Sequence, residues 1–161
     1  PLMDVKEGGY PSLLKMFLGT TTGTIGETST AALLLGAIYL LLRRVIDWKI
    51  PVIYIATFAV FDILYMVIAG AAAYPLLYEL CGGGLMLGAF FMATDYVTSP
   101  ITSKGKVIYA ILLGLLTGLF RFFGESAEGV SFAIIIGNLF VPLIERYTVP
   151  KAFGKEGKAN G

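Results

Sequence analysis

Histidine is missing from this chain altogether, and cysteine occurs once, as Cys81. Without histidine there is no imidazole metal ligand and no usual general base. A lone cysteine excludes an internal disulfide and any multi-cysteine zinc or iron–sulfur site within the chain. Charge is also scarce. Asp, Glu, Lys and Arg make up 14% of the residues and the net charge is +1, a total that points to no nucleic acid partner. No basic region and no apolar stretch precede Ser12, so no signal peptide is expected. A start at Pro1 reads as a processed, truncated or split product. What the chain has in excess is apolar surface: 57% hydrophobic residues and a mean hydropathy of +0.80. Those values lie outside the range of ordinary soluble domains and indicate an integral membrane protein.

The expected fold class is all-α and polytopic, with about five transmembrane helices. The apolar segments run roughly over Glu27–Leu42, Pro51–Ala69, Ala72–Ala93, Lys106–Phe120 and Val130–Ile144. A perpendicular span needs about 20 residues, so the first, fourth and fifth are short for one. The third is the one expected to be interrupted, because Gly82, Gly83 and Gly84 lie inside it. The organisation that follows is an extracytoplasmic segment over 1–26, a five-helix repeat over 27–146 and a disordered tail over 147–161.

Of the 12 lysines and arginines, nine fall on one side of such an arrangement. They are Arg43, Arg44 and Lys49, then Lys104 and Lys106, then Arg146, Lys151, Lys155 and Lys158. Lys6, Lys15 and Arg121 fall on the other. By the positive-inside rule the C-terminus is expected in the cytoplasm and residues 1–26 outside. Trp48 and Tyr147 mark the cytoplasmic boundary.

Several polar groups interrupt the apolar segments. Asp62 lies well inside the second, where an ionised carboxylate costs about 2.5–3.5 kcal/mol on insertion scales. A sodium or proton site is the favoured reading, against an interhelical hydrogen bond from a protonated acid. Glu79 is less deep, and either snorkelling or pairing with Arg121 is favoured over an ion-pathway role. Cys81 is a small packing residue. Glu27 opens the first segment among Thr20, Thr21, Thr22, Thr24, Thr28 and Ser29. Helix capping and an anion cradle at a helix N-terminus fit these residues equally well. Thr94, Asp95, Thr98 and Ser99 end the third segment, where a loop cap and a ligand contact are again balanced. Gly114 and Gly118 form a small-xxx-small pair suited to close helix packing. Along the third segment, exposed glycine backbone with Phe90, Phe91 and Tyr96 as walls could accept a flat ring such as a flavin or quinone. No catalytic residue and no metal site is assigned.

Four ordered stretches carry a family resemblance: Gly23–Ser29, Arg43–Pro51, Phe91–Pro100 and Gly129–Ile134. Together they resemble RnfD, a membrane component of the Rnf electron-transport complex. Its relative is NqrB of the sodium-pumping NADH:quinone oxidoreductase. Arg43-Arg44 followed by Ile46-Asp47-Trp48, and Glu145-Arg146-Tyr147 at the end of the last segment, fit the Rnf member better. Tyr96 departs from the Thr-Asp-Pro-Val pattern of the family. The resemblance implies a fold of ten helices in two five-helix repeats, of which this chain is the second. It implies FMN joined by a phosphoester to a threonine that would immediately precede Pro1, and a second, non-covalent flavin, riboflavin in the relatives.

On that reading Thr24, Gly26, Glu27 and Thr28 border the covalent FMN. Thr94, Asp95 and Thr98 are candidates for the second flavin or an ion gate, and Asp62 and Glu79 belong to an ion pathway. The implied function is electron transfer within a ferredoxin:NAD⁺ oxidoreductase that moves Na⁺ or H⁺ across a prokaryotic inner membrane. The implied partners are RnfA, RnfB, RnfC, RnfE and above all the flavin-bearing RnfG, with the N-terminal half of the same polypeptide. A quinone-reducing protein of the NqrB kind and a passive transporter of inverted-repeat type are the competing readings.

Overall fold

The computed structural model describes residues 12–20, 28–69, 76–82, 84–123 and 129–150, and among them every regular element is helical. A short helix α1 (Leu13–Leu18) is followed by α2 (Thr30–Leu42) and α3 (Lys49–Ala69). The third segment is split into α4 (Leu76–Cys81) and α5 (Leu85–Leu87), the latter running on into a π-helical turn over Gly88–Met92. Two further helices complete the bundle, α6 (Ser103–Phe123) and α7 (Gly129–Thr148).

Three helices, α3, α6 and α7, are long and apolar enough to cross a membrane. At 1.5 Å per residue each reaches about 30 Å, the thickness of the hydrocarbon core. They extend beyond the apolar runs read from sequence because polar residues form their ends. Lys49 donates its backbone N–H to Asp47 Oδ1 at 3.2 Å, which caps α3. Thr102 Oγ1 accepts from Gly105 N at 3.0 Å and so caps α6. The last turn of α7 is closed by Thr148, whose hydroxyl donates to Ile144 O at 2.8 Å. That helix therefore continues past Glu145 and Arg146, where the apolar pattern stops. At 13 residues α2 is too short for a full perpendicular span, and Ser29 caps it by accepting from Ala32 N.

The core forms where α3, α6 and α7 meet. Small residues set the spacing. A Cβ on Gly114 would fall 2.6 Å from the Thr57 side chain, and one on Gly118 would fall 2.3 Å from the Phe61 ring. Both contacts pair residues in the same chain order, so α3 and α6 run parallel. Gly137 on α7 meets Leu113 and Tyr109 of α6, and Tyr109 donates to Asn138 Oδ1. These contacts run in opposite order, so α7 is antiparallel to α6. Tyr54 of α3 and Thr117 of α6, both buried, share a hydrogen bond of 2.6 Å.

The third segment breaks at its glycines, as their density suggested. Gly84 has φ +67, a left-handed conformation that L side chains rarely adopt. Beyond it, Ala93 N donates to Gly88 O at 2.8 Å, the i→i−5 bond of a π-helical turn. The flat-ring face expected for this segment is filled at Gly88. A Cβ on Gly88 would lie 2.3 Å from Val130 Cγ1, so the glycine admits α7 and not a cofactor ring. Phe91 packs its ring edge on Gly36 of α2.

Candidate functional site

The two ends of the bundle differ in chemistry. At one end the loop cations gather. Lys106 Nζ pairs with Asp47 Oδ2 at 2.9 Å, Lys49 Nζ donates to Ser103 Oγ at 3.0 Å, and Ile101 N donates to Glu145 Oε1 at 3.1 Å. Burial tends to raise the Asp47 carboxyl. The Lys106 ammonium, the Lys49 backbone N–H and the charges of both lysines outweigh it, and the carboxyl is held below its ordinary value of 3.8. Arg44 stands beside this pair with φ +54, the one non-glycine residue at positive φ among the described residues.

A cavity of about 530 Å³ opens at this end, lined by residues that include Arg44, Asp47, Trp48, Tyr96 and Lys106. Thr94, Asp95 and Thr98 do not line it. Thr94 is buried and donates to Phe90 O at 2.7 Å, while Thr98 donates to Asp95 Oδ2 at 3.2 Å. These bonds are local to the turn. Tyr96 is 74% exposed and donates its hydroxyl to Val45 O, which ties this turn to the α2–α3 loop. Its ring therefore does not stand with Phe90 and Phe91 as a wall.

The other end carries a buried cluster. Arg121, near the C-terminus of α6, is 4% exposed, and Glu79 on α4 is 2% exposed. Arg121 Nη1 donates to Glu79 Oε2 at 3.0 Å and to Glu79 O at 2.6 Å, and Nη2 donates to Gly82 O at 2.9 Å. Thr30 Oγ1 donates to Cys81 O at 3.2 Å. A helix that stops inside a bilayer leaves its last carbonyls without partners, each costing several kcal/mol in hydrocarbon. Here the guanidinium of Arg121 and the hydroxyl of Thr30 satisfy the carbonyls at the end of α4. The Phe58 ring lies 4.9 Å from Arg121 Cζ, close enough for a cation–π contact.

Asp62 completes the cluster from α3. It is 0% exposed, and among the described residues neither carboxylate oxygen has a hydrogen-bond partner. Glu79 and Arg121 both lie within electrostatic reach of it. Tyr54, Phe58 and Asp62 follow at four-residue spacing along one buried face of α3, opposite Thr117 and Arg121 on α6. An ionised carboxylate without donors carries a desolvation penalty of several kcal/mol. No group of three or more His, Cys, Asp or Glu able to hold a metal ion occurs among the described residues.

The pairing of Glu79 with Arg121 that the sequence suggested is present, and Asp62, grouped with Glu79 in an ion pathway, lies within electrostatic reach of both. Arg121 does not belong with the loop charges, because it is buried and paired inside the bundle. Thr28 is half-buried beside the start of α2, whereas Thr24, Gly26 and Glu27 lie outside the described residues. The Tyr54–Thr117 bond and the Asp47–Lys106 pair were not anticipated. In the first case the available signal was the eight-residue separation of Tyr54 and Asp62, about two helical turns, which puts both on one face.

Residues 1–154 match the family described as NQR2, RnfD, RnfE. The chain belongs to that family. Among its relatives, the D subunit of the Na⁺-translocating ferredoxin:NAD⁺ oxidoreductase complex of Acetobacterium woodii is 45% identical, over 94% of this chain and 48% of the relative. The D subunit of the proton-translocating complex of Clostridium ljungdahlii is 45% identical, over 91% and 45%. The D subunit of the ion-translocating oxidoreductase complex of Stutzerimonas stutzeri is 41% identical, over 93% and 42%. The chain therefore spans less than half the length of these curated relatives. Family membership agrees with an all-α, multi-pass membrane protein and with the Rnf resemblance of its motifs.

Proposed function

We propose that this chain is the second five-helix repeat of RnfD, the D subunit of an Rnf-type, ion-translocating ferredoxin:NAD⁺ oxidoreductase. The observation that carries the reading is the family match over residues 1–154, together with relatives that share the name of the D subunit. The fold supports it: a bundle of apolar helices holds an ionic cluster inside one end, a placement expected of ion-handling proteins. The relatives' names include both Na⁺ and proton translocation, so the coupling ion is not given by resemblance.

In this reading the protein lies in a prokaryotic cytoplasmic membrane with the cation-rich end inside. The transfer of Arg121 from loop to core sharpens that asymmetry. FMN is attached to a threonine directly before Pro1, on the outer side and next to RnfG, and the protein positions the flavin and tunes its potential. Of the residues named for the second flavin, Thr94, Asp95 and Thr98 make bonds local to their turn, so no step is assigned to them.

The test is intact mass and in-gel flavin fluorescence of the denatured full-length protein, with peptide mapping of the segment before Pro1. An FMN-sized adduct on that threonine is expected. A fully matured complex with no adduct would remove the electron-carrier role and bring the inverted-repeat transporter to the front.

A further inference from the structure

We infer that Asp62, Glu79 and Arg121 form a buried site for one exchangeable proton, shared between the two carboxyl groups and switched by the guanidinium between them. The inference deepens the ion-translocating reading above and rests on it. The cluster contains two carboxyls and one guanidinium, all at least nine-tenths buried. Arg121 is committed to Glu79 and to the carbonyls of Glu79 and Gly82. Asp62, with no hydrogen-bond partner for either oxygen among the described residues, is therefore the carboxyl without a hydrogen-bonded counter-charge.

A small monovalent cation must neutralise Asp62, and the proton is the one the surroundings suit. A sodium ion needs several oxygen ligands converging on it, whereas a proton needs one oxygen. On α3 Asp62 is flanked by Phe61 and Ile63, with the Phe58 ring one turn away against Arg121. The titratable and charged groups on the neighbouring elements are few. Among the described residues they are Tyr78, Glu79 and Cys81 on α4 and Arg121 on α6, with Tyr54 and Tyr65 on α3 itself, while Lys49 of α3 and Lys104, Lys106 and Tyr109 of α6 lie towards the opposite end of those helices. The π-helical turn packed on α3 carries none.

Two arrangements of the same atoms then have equal charge. In the first, Arg121 pairs with Glu79, as it does in the structure, and Asp62 holds the proton. In the second, Arg121 pairs with Asp62 and Glu79 holds the proton. The proton Asp62 releases is matched by the one Glu79 takes up, so the cluster never carries a second uncompensated charge. Glu79 is the partner built to move. It lies on the six-residue α4, directly before the glycine break, whereas Asp62 and Arg121 lie on helices of 21 residues packed along their length.

The test is infrared difference spectroscopy of the assembled complex, comparing H₂O with D₂O and high with low Na⁺ at fixed pH. The wild type is expected to show a protonated-carboxyl C=O band that shifts in D₂O and is unmoved by Na⁺. Asp62→Asn is expected to abolish it. Glu79→Gln is expected to abolish it too, although Gln replaces the carboxyl that was ionised, because the Arg121 guanidinium then turns to Asp62 as its counter-charge. Should Asp62→Asn not assemble, Asp62→Glu serves, with the band displaced in frequency. A band that persists unchanged in Asp62→Asn or Asp62→Glu overturns the proposal. So does its survival at full strength in Glu79→Gln. A band that falls as Na⁺ rises assigns the site to sodium and also overturns it. The readout is a protonation state, not pumping, so it fails or succeeds independently of flavin attachment and ion translocation.

Discussion

Arg121 Nη1 donates both to the Glu79 carboxylate, at 3.0 Å, and to the backbone carbonyl of the same residue, at 2.6 Å. One side chain of α6 therefore neutralises the acid on α4 and finishes the helix that carries it. Arg121→Ala is expected to lose about 3–5 kcal/mol, because it leaves a buried charge and two carbonyls without partners. Arg121→Lys keeps the charge but not the fork, and an intermediate loss is expected. Thermal unfolding of the purified complex, with hydrogen exchange over 76–88, checks both. Equal stability of Arg121→Ala and wild type would contradict the assignment.

Close packing of α3 on α6 predicts steep sensitivity at Gly118. Gly118→Ala drives a methyl into the Phe61 ring and is expected to cost about 1–3 kcal/mol. Gly36→Ala meets only the edge of the Phe91 ring, at 3.2 Å, and is expected to be milder. The order of the two unfolding temperatures decides the point.

Tyr54 and Thr117 form a buried polar pair in an apolar seam. Tyr54→Phe leaves the Thr117 hydroxyl with one partner fewer, at an expected cost of about 1–3 kcal/mol. Adding Thr117→Val is expected to recover part of that loss, since both polar groups are then removed. A double-mutant cycle measures the coupling. Strict additivity would show that the 2.6 Å contact carries no weight.

At the opposite end the Asp47–Lys106 pair predicts a pH signature. The Asp47 carboxyl is lowered in the folded state, so its contribution is present above the ordinary value of 3.8 and is lost as pH falls through the depressed value. The pair is partly exposed, so a contribution of about 0.5–1 kcal/mol is expected. Asp47→Asn should therefore unfold at a lower temperature than wild type at about pH 6, and the difference should close below about pH 4. A gap that persists in acid would point to packing instead of charge.

Much of the architecture was legible from hydropathy alone, because a run of apolar residues reports removal from water whatever covers it. The long helices lie within a few residues of their expected limits, and the Gly114/Gly118 pair packs as its spacing indicated. Partners were harder to read. Arg121 ends an apolar run and counts as a loop cation there, and although its pairing with Glu79 was foreseeable, its burial shows only once α4 is seen beside it. Gly88 looks like exposed backbone until Val130 is seen in the space. Both depend on which helix lies opposite, and that is set by rotation about helix axes to which composition is blind. The π-helical turn left no trace in the pattern, since one extra residue per turn changes no residue type. The Thr94–Thr98 turn presented ligand-binding residue types, yet the same hydroxyls and carboxylate close a turn equally well.

That π-helical turn also has a mechanical consequence. At 3.6 residues per turn, gaining or losing one residue rotates everything beyond it by about 100° and shifts it by about 1.5 Å along the axis. Gly88–Met92 already holds one residue in excess of α-helical winding, bounded by the Ala93 N to Gly88 O bond. Passing that surplus along the helix would turn the Asp95 end about its axis while Leu85 stays seated in the core. A step of one residue in winding at one level would thus become a change of bearing at the other, measured against the packed α3, α6 and α7.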